Sequence, residues 1–422
     1  MNKAFIKKYG TLLLLAAGAG IIFQLPYIRE TFYVPIQNAL GISNAEMGLL
    51  SSGYATMATL SYFVGGIVAD KFSARKLLTF SFISTGILGL WFSTFPSFTV
   101  CRLIFVLMGI TTIITYWSAC IKATRMLGSS SEQGRLFGLQ EGLRGLLNAV
   151  LVFGMMAAYN HFSDTVQGAT WAIRVCAITV IIIGILNWFV IEDTAKEAQT
   201  DSVKEVVKGM FQSMKAPRVW VLMAIVFSAY SIYGLLGYIN TYLINVYGAS
   251  ESLAISLGGI RYIIQAVGGI LGGFIADKIG SRIKVIIGGA VLLALYFAGF
   301  IFHPFSTGLV NAVVVNFILG LLLIYVIRSV YFAIIDDANI PVEKTGRVSG
   351  FVSCLGYIPD VFMYTMVGGW LDKYTGKTGF NMMFIYAIAM AGLCVFFSFI
   401  LTRIIKKDKV NGVTNSEAVI AK

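Results

Sequence analysis

Twelve long apolar stretches run through this chain, and they leave little room for any fold other than a bundle of membrane-spanning helices. Each is close to the length of about 20 residues that an α-helix needs to cross a bilayer. They cover residues 11–36, 46–69, 77–95, 101–121, 136–158, 172–191, 219–245, 253–275, 285–303, 308–334, 348–369 and 380–402. No apolar-polar alternation typical of barrel strands occurs. With 57% hydrophobic and 12% charged residues, the sequence predicts an all-α membrane protein with 12 transmembrane helices.

The chain also repeats itself. The segment GGIVADKFSAR at 65–75 returns as GGFIADKIGSR at 272–282, with six identical residues. A shorter pattern, Gly-Arg-x-x-Gly, occurs at 134–138 and again at 346–350. Each copy occupies the same place in its half of the chain, between two apolar stretches. Two related six-helix bundles are therefore expected, an arrangement typical of membrane transporters.

A charged segment separates the two halves. Residues 192–218 interrupt the hydrophobic pattern with several Lys, Glu and Asp residues, which favours a short amphipathic helix on the membrane surface. We therefore predict an N-terminal six-helix bundle over 1–191, a cytoplasmic linker over 192–218, a C-terminal six-helix bundle over 219–403 and a cytoplasmic tail over 404–422.

The basic residues are distributed unevenly and predict an orientation. All but eight of the 32 Lys and Arg residues lie in the even-numbered turns, the linker and the two tails. By the positive-inside rule both termini then lie in the cytoplasm, as in a multi-pass protein of a bacterial inner membrane. The net charge of +12 is thus a topology signal, so no nucleic acid is expected as a partner. The five cysteines lie in or beside apolar stretches, so no disulfide, metal or cofactor is expected.

The repeated segment resembles the signature loop of the major facilitator superfamily. Residues 66–76 follow the pattern Gly-x-x-x-Asp-Lys-x-x-x-Arg-Lys between spans two and three, and the copy at 273–284 lies between spans eight and nine, as that family requires. One departure is Ser73, which stands where the loop usually has glycine, whereas the second copy keeps Gly280. Glycine permits a left-handed turn, so we expect the two copies to differ in shape.

Two narrower resemblances follow. The segments SEQGRLFG at 131–138 and Gly-Tyr-Ile-Pro at 356–359 are similar to the bacterial YihN-like permeases. The spacing from Pro35 through Gly48 to Asp70 is similar to the organophosphate:phosphate antiporters. The resemblance implies a monomer in which spans one, four, seven and ten line a central cavity and the repeated loops form a cytoplasmic gate. The gating residues it assigns are Gly66, Asp70, Arg75, Arg135, Asp277, Arg282 and Arg347.

Charges inside the spans point to the substrate. A charge at the bilayer centre costs at least about 2.5 to 3.5 kcal/mol, so each needs a reason to be there. Seven lie well inside spans: Arg29, Glu30, Glu141, Arg144, Arg261, Arg328 and Asp360. Spans three, six, nine and twelve hold none in their cores, which is typical of an outer layer facing lipid. Four arginines against three carboxylates favour an anionic substrate, because guanidinium groups bind acid groups through paired hydrogen bonds.

Arg29 and Arg328, on spans one and ten, are the first candidates for substrate contact, and Arg261 is the third. The alternative is that each arginine pairs with a carboxylate and only holds helices together, as Arg144 would with Glu141 three residues earlier. Polar and aromatic side chains are expected to add shape to the site. These candidates are Gln24, Tyr27, Tyr116, Trp117, Tyr233, Asn240, Gln265 and Tyr331.

Proton coupling needs a buried group that changes charge, and Glu30, Glu141 and Asp360, with Arg144 as a neighbour, are the candidates. Alternatively, transport is facilitation or anion exchange and the carboxylates are only counter-ions. Nucleotide-binding and hydrolase motifs are absent, so the chain is not expected to be an enzyme.

The sequence therefore predicts a secondary active transporter that moves a small organic anion across the inner membrane by alternating access. Proton symport or a counter-substrate would drive it. The alternative is a proton-driven exporter of amphipathic compounds or drugs.

Overall fold

The computed structural model describes residues 3–128, 133–192, 216–302, 307–331, 333–338, 340, 348 and 351–410. These residues are mostly α-helical, and none of them lies in a β-strand. The chain divides into two compact units, Met1–Thr200 with Ala249–Ala266, and Asp201–Gly248 with Val267–Lys422. The predicted domain boundaries are drawn from the repeat and the charged segment, not from contacts. They stay a prediction.

Unit 1 consists of eight described helices and the beginning of a ninth. They are α1 (Lys3–Ile21), α2 (Arg29–Leu40), α3 (Asn44–Lys71), α4 (Ala74–Phe92), α5 (Phe98–Ile113), α6 (Trp117–Arg125), α7 (Gln133–Asn160) and α8 (Thr165–Val190). Residues 249–266, which the sequence places in the second half, group with these helices.

Unit 2 contains the remaining described helices. They are α9 (Pro217–Gly234), α10 (Leu236–Tyr247), the end of α11 (Glu251–Ile279), α12 (Arg282–Phe302), α13 (Val310–Val330), α14 (Ile334–Asp337), α15 (Pro359–Lys373) and α16 (Lys377–Val410). A 3₁₀ turn over Thr307–Leu309 precedes α13, and residues 351–356 are also helical.

Eight stretches within the described ranges are long and apolar enough to cross a membrane. They are Gly142–Asn160, Thr165–Val190, Pro217–Tyr247, Glu251–Ile279, Arg282–Phe302, Val310–Val330, Phe351–Lys373 and Lys377–Asp408. The helical segment Phe98–Ile113 is also apolar but shorter. Together with the resemblance of the whole chain reported below, this confirms an all-α membrane protein. The number of twelve spans is consistent with these helices.

Close helix packing in unit 1 depends on glycine. Helix α4 packs along α8, and a Cβ on Gly184 would lie 2.8 Å from Cβ of Phe82. A Cβ on Gly86 would lie 2.8 Å from the carbonyl oxygen of Ala177. Small residues of this kind let helix backbones approach in a bilayer, where apolar side chains gain nothing by leaving lipid.

The two copies of the repeated loop turn differently. In the first copy Ser73 has an extended backbone and caps α4, its Oγ accepting the backbone N–H of Lys76 at 3.4 Å. In the second copy Gly280 has φ of +65°, a left-handed conformation, and Ser281 caps α12 by accepting the N–H of Lys284 at 3.3 Å. The expected difference in shape is present, because serine, unlike glycine, avoids the left-handed region.

Candidate functional site

Spans one, four, seven and ten are each interrupted part-way along. Turns replace regular α-helix at residues 22–28, 114–116 and 235, and α13 ends at Val330 before α14 begins at Ile334. Irregular backbone at membrane depth is tolerated only where protein or an internal cavity surrounds it. In transporters, broken helices at corresponding places of the repeats mark the substrate site. The interruptions recur in every third span and lie beside the predicted substrate residues.

Prolines explain two interruptions. In span one, Pro26 and Pro35 lack the N–H that a continuous helix requires, and Phe32 has non-helical angles of φ −114° and ψ 40°. Span eleven is also broken, at residues 357–358, and Pro359 opens the helix that follows. Proline therefore places both Arg29 and Asp360 in the first turn of a helix that begins after a break.

In unit 2, Arg328 lies among tyrosines. Its guanidinium carbon is 3.8 Å from the ring centroid of Tyr233, a cation–π contact. Tyr331, Tyr357 and Tyr325 are its other electrostatic neighbours. Its Nη1 is buried, and among the described residues this atom donates no hydrogen bond and Arg328 forms no ion pair. Arg328 is thus a cation whose protein environment supplies aromatic rings and phenols in place of a carboxylate.

A chain of aromatic contacts runs from Arg328 to Asp360. The hydroxyls of Tyr331 and Tyr357 are 3.2 Å apart, and the rings of Tyr357 and Tyr230 have centroids 4.3 Å apart. Tyr230 donates its hydroxyl to Oδ2 of Asp360 at 2.7 Å. Asp360 is only 4% exposed, so this phenol is a substantial part of what stabilises the carboxylate.

A narrow pocket opens beside Arg328. Its polar lining comes from Arg328, Tyr230, Tyr233 and Tyr331. Its apolar lining comes from Ala229, Ile232, Ala290, Leu293, Ile324, Ile327 and Cys394. In this conformation the pocket has room for about one water molecule. Binding of an organic molecule there requires the surrounding side chains or helices to move.

In unit 1, Glu30 and Arg261 form a buried ion pair between Oε2 and Nη2. The two residues are 6% and 5% exposed. Gln24 donates from Nε2 to the hydroxyl of Tyr262, the residue after Arg261, at 2.5 Å. A Cβ on Gly258 would lie 2.8 Å from Thr31 Cγ2, so α2 and the first part of α11 are in close contact. The pair is internally neutral and joins two helices of the unit.

Arg29, the neighbour of Glu30 in sequence, has different surroundings. Its guanidinium carbon lies 5.2 Å from the ring centroid of Tyr33, and its Nη1 is 3.4 Å from Oγ of Ser51. The side chain is 2% exposed. Consecutive helix residues point about 100° apart, so Arg29 and Glu30 meet different partners.

One of the two predicted aromatic residues of span four, Tyr116, belongs to a polar cluster. Tyr116 donates to Sγ of Cys120 at 3.2 Å, and Gln140 Nε2 donates to the same sulfur at 3.3 Å. Thr124 donates to Oε1 of Gln140 at 3.0 Å. Trp117 is half-buried near the end of the break. Tyr116 therefore packs within unit 1 in this conformation, and its contact with substrate stays a prediction.

Four other predicted residues are buried or half-buried. The ring of Tyr27 is 5.3 Å from that of Tyr54, Asn240 is buried in α10, and Gln265 is half-buried one turn after Arg261. Arg144 is half-buried on α7, where its backbone oxygen would lie 3.0 Å from a Cβ on Gly20.

The predicted gating arginines have different partners in the two copies. Arg75 lies over the ring of Trp188 at 4.9 Å from the centroid. Arg282 donates from Nη1 to the carbonyl oxygen of Ala333 at 2.9 Å and is 3.2 Å from Oδ1 of Asp337. Asp277 is exposed and Gly66 lies within α3. The side chains of Asp70, Arg135 and Glu141, and the whole of Arg347, lie outside the described residues.

Tyr357, Tyr325 and Tyr262 contribute to these clusters but were not among the predicted site residues. A signal existed for Tyr357, which directly precedes Ile358-Pro359 and therefore falls in a helix break. Tyr325 and Tyr262 stand in ordinary apolar helical patterns. Tyr325 precedes Arg328 by three residues on α13 and therefore lies on the same side of that helix, whereas only packing between helices brings Tyr262 beside Gln24.

Comparison with known proteins extends these observations to the whole chain. Residues 9–363 match the Major Facilitator Superfamily. The chain is 31% identical to the Escherichia coli (strain K12) inner membrane protein YqcE, over 94% of this chain and 95% of that protein. It is 30% identical to the inner membrane protein YihN of the same strain, over 90% and 91%. The resemblance to YihN-like permeases is thereby confirmed.

More distant similarities agree. Two Bacillus subtilis (strain 168) proteins, the hexuronate transporter and the glycerol-3-phosphate transporter, are 24% and 22% identical, covering 92% and 86% of this chain and 92% and 84% of their own lengths. The crystal structure of a bacterial homologue of the human lysosomal transporter Spinster superposes with a TM-score of 0.76 at 16% identity, covering 97% of this chain and 99% of that one. As its signature loop predicts, the chain belongs to the Major Facilitator Superfamily and is a membrane transporter, not an enzyme.

Proposed function

We propose that this transporter moves a small organic anion across a bacterial inner membrane by alternating access, driven by proton symport or by exchange. The observation that carries the proposal is the environment of Arg328. Its guanidinium stacks on Tyr233, its Nη1 is buried, and no described residue forms an ion pair with it. A buried cation of this kind is costly unless an anion joins it. The substrate is that anion.

The position of Arg328 supports this role. It lies three residues before the break in span ten, and broken helices at repeated positions are where transporters bind their substrates. The phenols of Tyr331 and Tyr357 add hydroxyl donors near the guanidinium. A guanidinium can give two parallel hydrogen bonds to one acid group, and these are stronger where water is scarce.

Arg29 is the matching candidate in the first half. It follows the break in span one and is buried with Tyr33 and Ser51. Arg261 is less suited to substrate contact in this conformation, because Glu30 already neutralises it. An anion that approached Arg261 would first have to displace that carboxylate.

Relatives support an anionic substrate and an inner-membrane location. The Bacillus subtilis hexuronate and glycerol-3-phosphate transporters are named for anions, and the two Escherichia coli relatives are inner membrane proteins. The distribution of Lys and Arg favours cytoplasmic termini. The loops around Arg75 and Arg282 would then form the cytoplasmic gate. A cation–π contact of Arg75 would stabilise it in one half and an ion pair of Arg282 in the other.

Buried carboxylates give the proposed route to coupling. Asp360 accepts a hydrogen bond from Tyr230, and Tyr357 lies between this pair and Tyr331. Glu30 is already in direct contact with the guanidinium of Arg261. Of these two, Asp360 is therefore the better candidate for binding a proton during the cycle.

The test is uptake of radiolabelled organic acids into proteoliposomes containing the wild-type protein, Arg328→Ala or Arg102→Ala. Arg102 is the matched control because it is exposed and contacts only the ring of Phe98, 6.0 Å away, among described residues. We expect Arg328→Ala to abolish uptake at normal protein yield and Arg102→Ala to retain it. Normal uptake by Arg328→Ala would remove the proposed role of this residue.

A further inference from the structure

The charges inside the spans are divided between the two units. Four arginines and three carboxylates lie well within the predicted spans. The charges of Glu30 and Arg261 neutralise each other, because the two side chains are in direct contact. In unit 2, the charges at membrane depth among described residues are those of Arg328 and Asp360, which are connected through Tyr331, Tyr357 and Tyr230.

Arg328 has limited capacity for acid oxygens. One face of its guanidinium is covered by Tyr233 at 3.8 Å, and the remaining lining of the pocket is phenolic or apolar. A single acid group therefore satisfies the exposed edge of the guanidinium. No second cation lies among the described residues that line this pocket, so a second negative charge would find phenols but no counter-ion.

We infer that the substrate carries one negative charge, on a carboxylate or sulfonate group, and that phosphate dianions are discriminated against. The inference rests on the proposed function and narrows its substrate class. A single acid charge is matched by the one cation among the described residues that line the Arg328 pocket, whereas a dianion brings a second negative charge that none of these residues offsets. An uncompensated charge at low dielectric is strongly disfavoured, so the count of charges selects between acids of similar shape.

The experiment compares matched acids with the full-length protein purified in detergent. One pair is D-glucuronate and D-glucose 6-phosphate, the other is D-glycerate and glycerol 3-phosphate, and D-glucose and glycerol are the neutral controls. Dissociation constants are measured by calorimetry at pH 7.5 and pH 5.5. A phosphate monoester loses its second proton near pH 6 (about pKa 6), so the pH change converts the dianion largely into a monoanion.

At pH 7.5 we expect the carboxylate of at least one pair to bind more tightly than its phosphate by about tenfold or more. At pH 5.5 the gap should narrow because the phosphate gains affinity. The carboxylates stay ionised at both pH values, so they report any effect of titrating the protein itself. If the difference in affinity narrows because the carboxylate binds more weakly at pH 5.5, the inference is contradicted.

The variant Asp360→Asn provides a second, independent test. It removes one negative charge while the amide oxygen can still accept the hydrogen bond of Tyr230. We expect the variant to gain affinity for the phosphate relative to the carboxylate at pH 7.5. If wild-type protein binds phosphate at pH 7.5 as tightly as carboxylate, the monoanion rule is wrong while an anion transporter remains. If neutral sugars bind and none of the acids does, the proposed function itself fails.

Discussion

Replacing Glu30 by glutamine removes one charge from a buried ion pair and leaves Arg261 without its counter-ion. Both residues are nearly inaccessible, at 6% and 5% exposure. Breaking a buried pair by removing one partner typically costs about 3 to 5 kcal/mol, because the other charge stays buried. Glutamine keeps the shape of glutamate, so we expect Glu30→Gln to lower the free energy of unfolding by about 3 kcal/mol, the lower end of that range.

Removing both charges should restore most of that loss. Replacing a whole buried pair by residues of similar volume is often neutral or stabilising. The double variant Glu30→Gln/Arg261→Met is therefore expected within about 1 kcal/mol of wild type, although each single variant is strongly destabilised. The assay is reversible unfolding in mixed micelles, with the coupling taken from the double-mutant cycle.

The exposed pair between Lys7 and Glu192 is the control. Their side chains are 62% and 72% exposed, so solvent screens the attraction. Exposed pairs contribute about 0 to 1 kcal/mol, so Glu192→Gln should have little effect. If Glu30→Gln destabilised the protein no more than Glu192→Gln, or if the two changes in the buried pair simply added, the burial argument would be refuted.

Two further predictions concern the aromatic site and helix packing. Tyr233→Phe should keep anion affinity, because the ring under Arg328 remains, whereas Tyr233→Leu should weaken it roughly 2- to 30-fold as the cation–π contact is lost; calorimetry measures both. Gly184→Ala should lower the free energy of unfolding by about 1 to 3 kcal/mol, because its Cβ would meet Phe82 at 2.8 Å. A Cβ on Gly154 meets nothing within 4 Å, so Gly154→Ala should not lower the free energy of unfolding. Equal unfolding curves for these two variants would contradict the packing argument.

Apolar length and the repeated loop were sufficient to predict a helical membrane protein and its superfamily. Both signals are local: a span is defined by its own composition, and the loop by residues 66–76 and 273–284. The different turns at Ser73 and Gly280 were predictable for the same reason, since the left-handed conformation depends on the residue at that position.

The interior of the site was less accessible from sequence. Proline indicates the break before Arg29 and the one at Asp360, but residues 114–116 of span four contain neither proline nor glycine. The pairing of Glu30 with Arg261 joins residues 231 positions apart, and no periodicity along one helix can indicate it. Spacing within a helix identifies candidate charges, whereas the packing of helices decides which of them neutralise each other.

The surroundings of Arg328 are a second example of contacts that the sequence alone predicts only in part. The sequence singles it out as a charge inside a span, and the structure surrounds it with tyrosines from several helices. Tyr325 and Tyr357 were not predicted, because an aromatic residue in an apolar helix is ordinarily part of the packing. Tyr325 lies three residues before Arg328 on the same helix, whereas the approach of Tyr233 and Tyr357 to this guanidinium is a property of the folded unit.

The most direct test of the account is a structure of the protein with a bound organic acid, such as D-glucuronate, determined by cryo-electron microscopy. We expect an acid group within about 2.7 to 2.9 Å of a guanidinium nitrogen of Arg328, with the ring of Tyr233 still against the guanidinium. An acid bound elsewhere, with Arg328 remaining among its tyrosines and untouched by ligand, would contradict it.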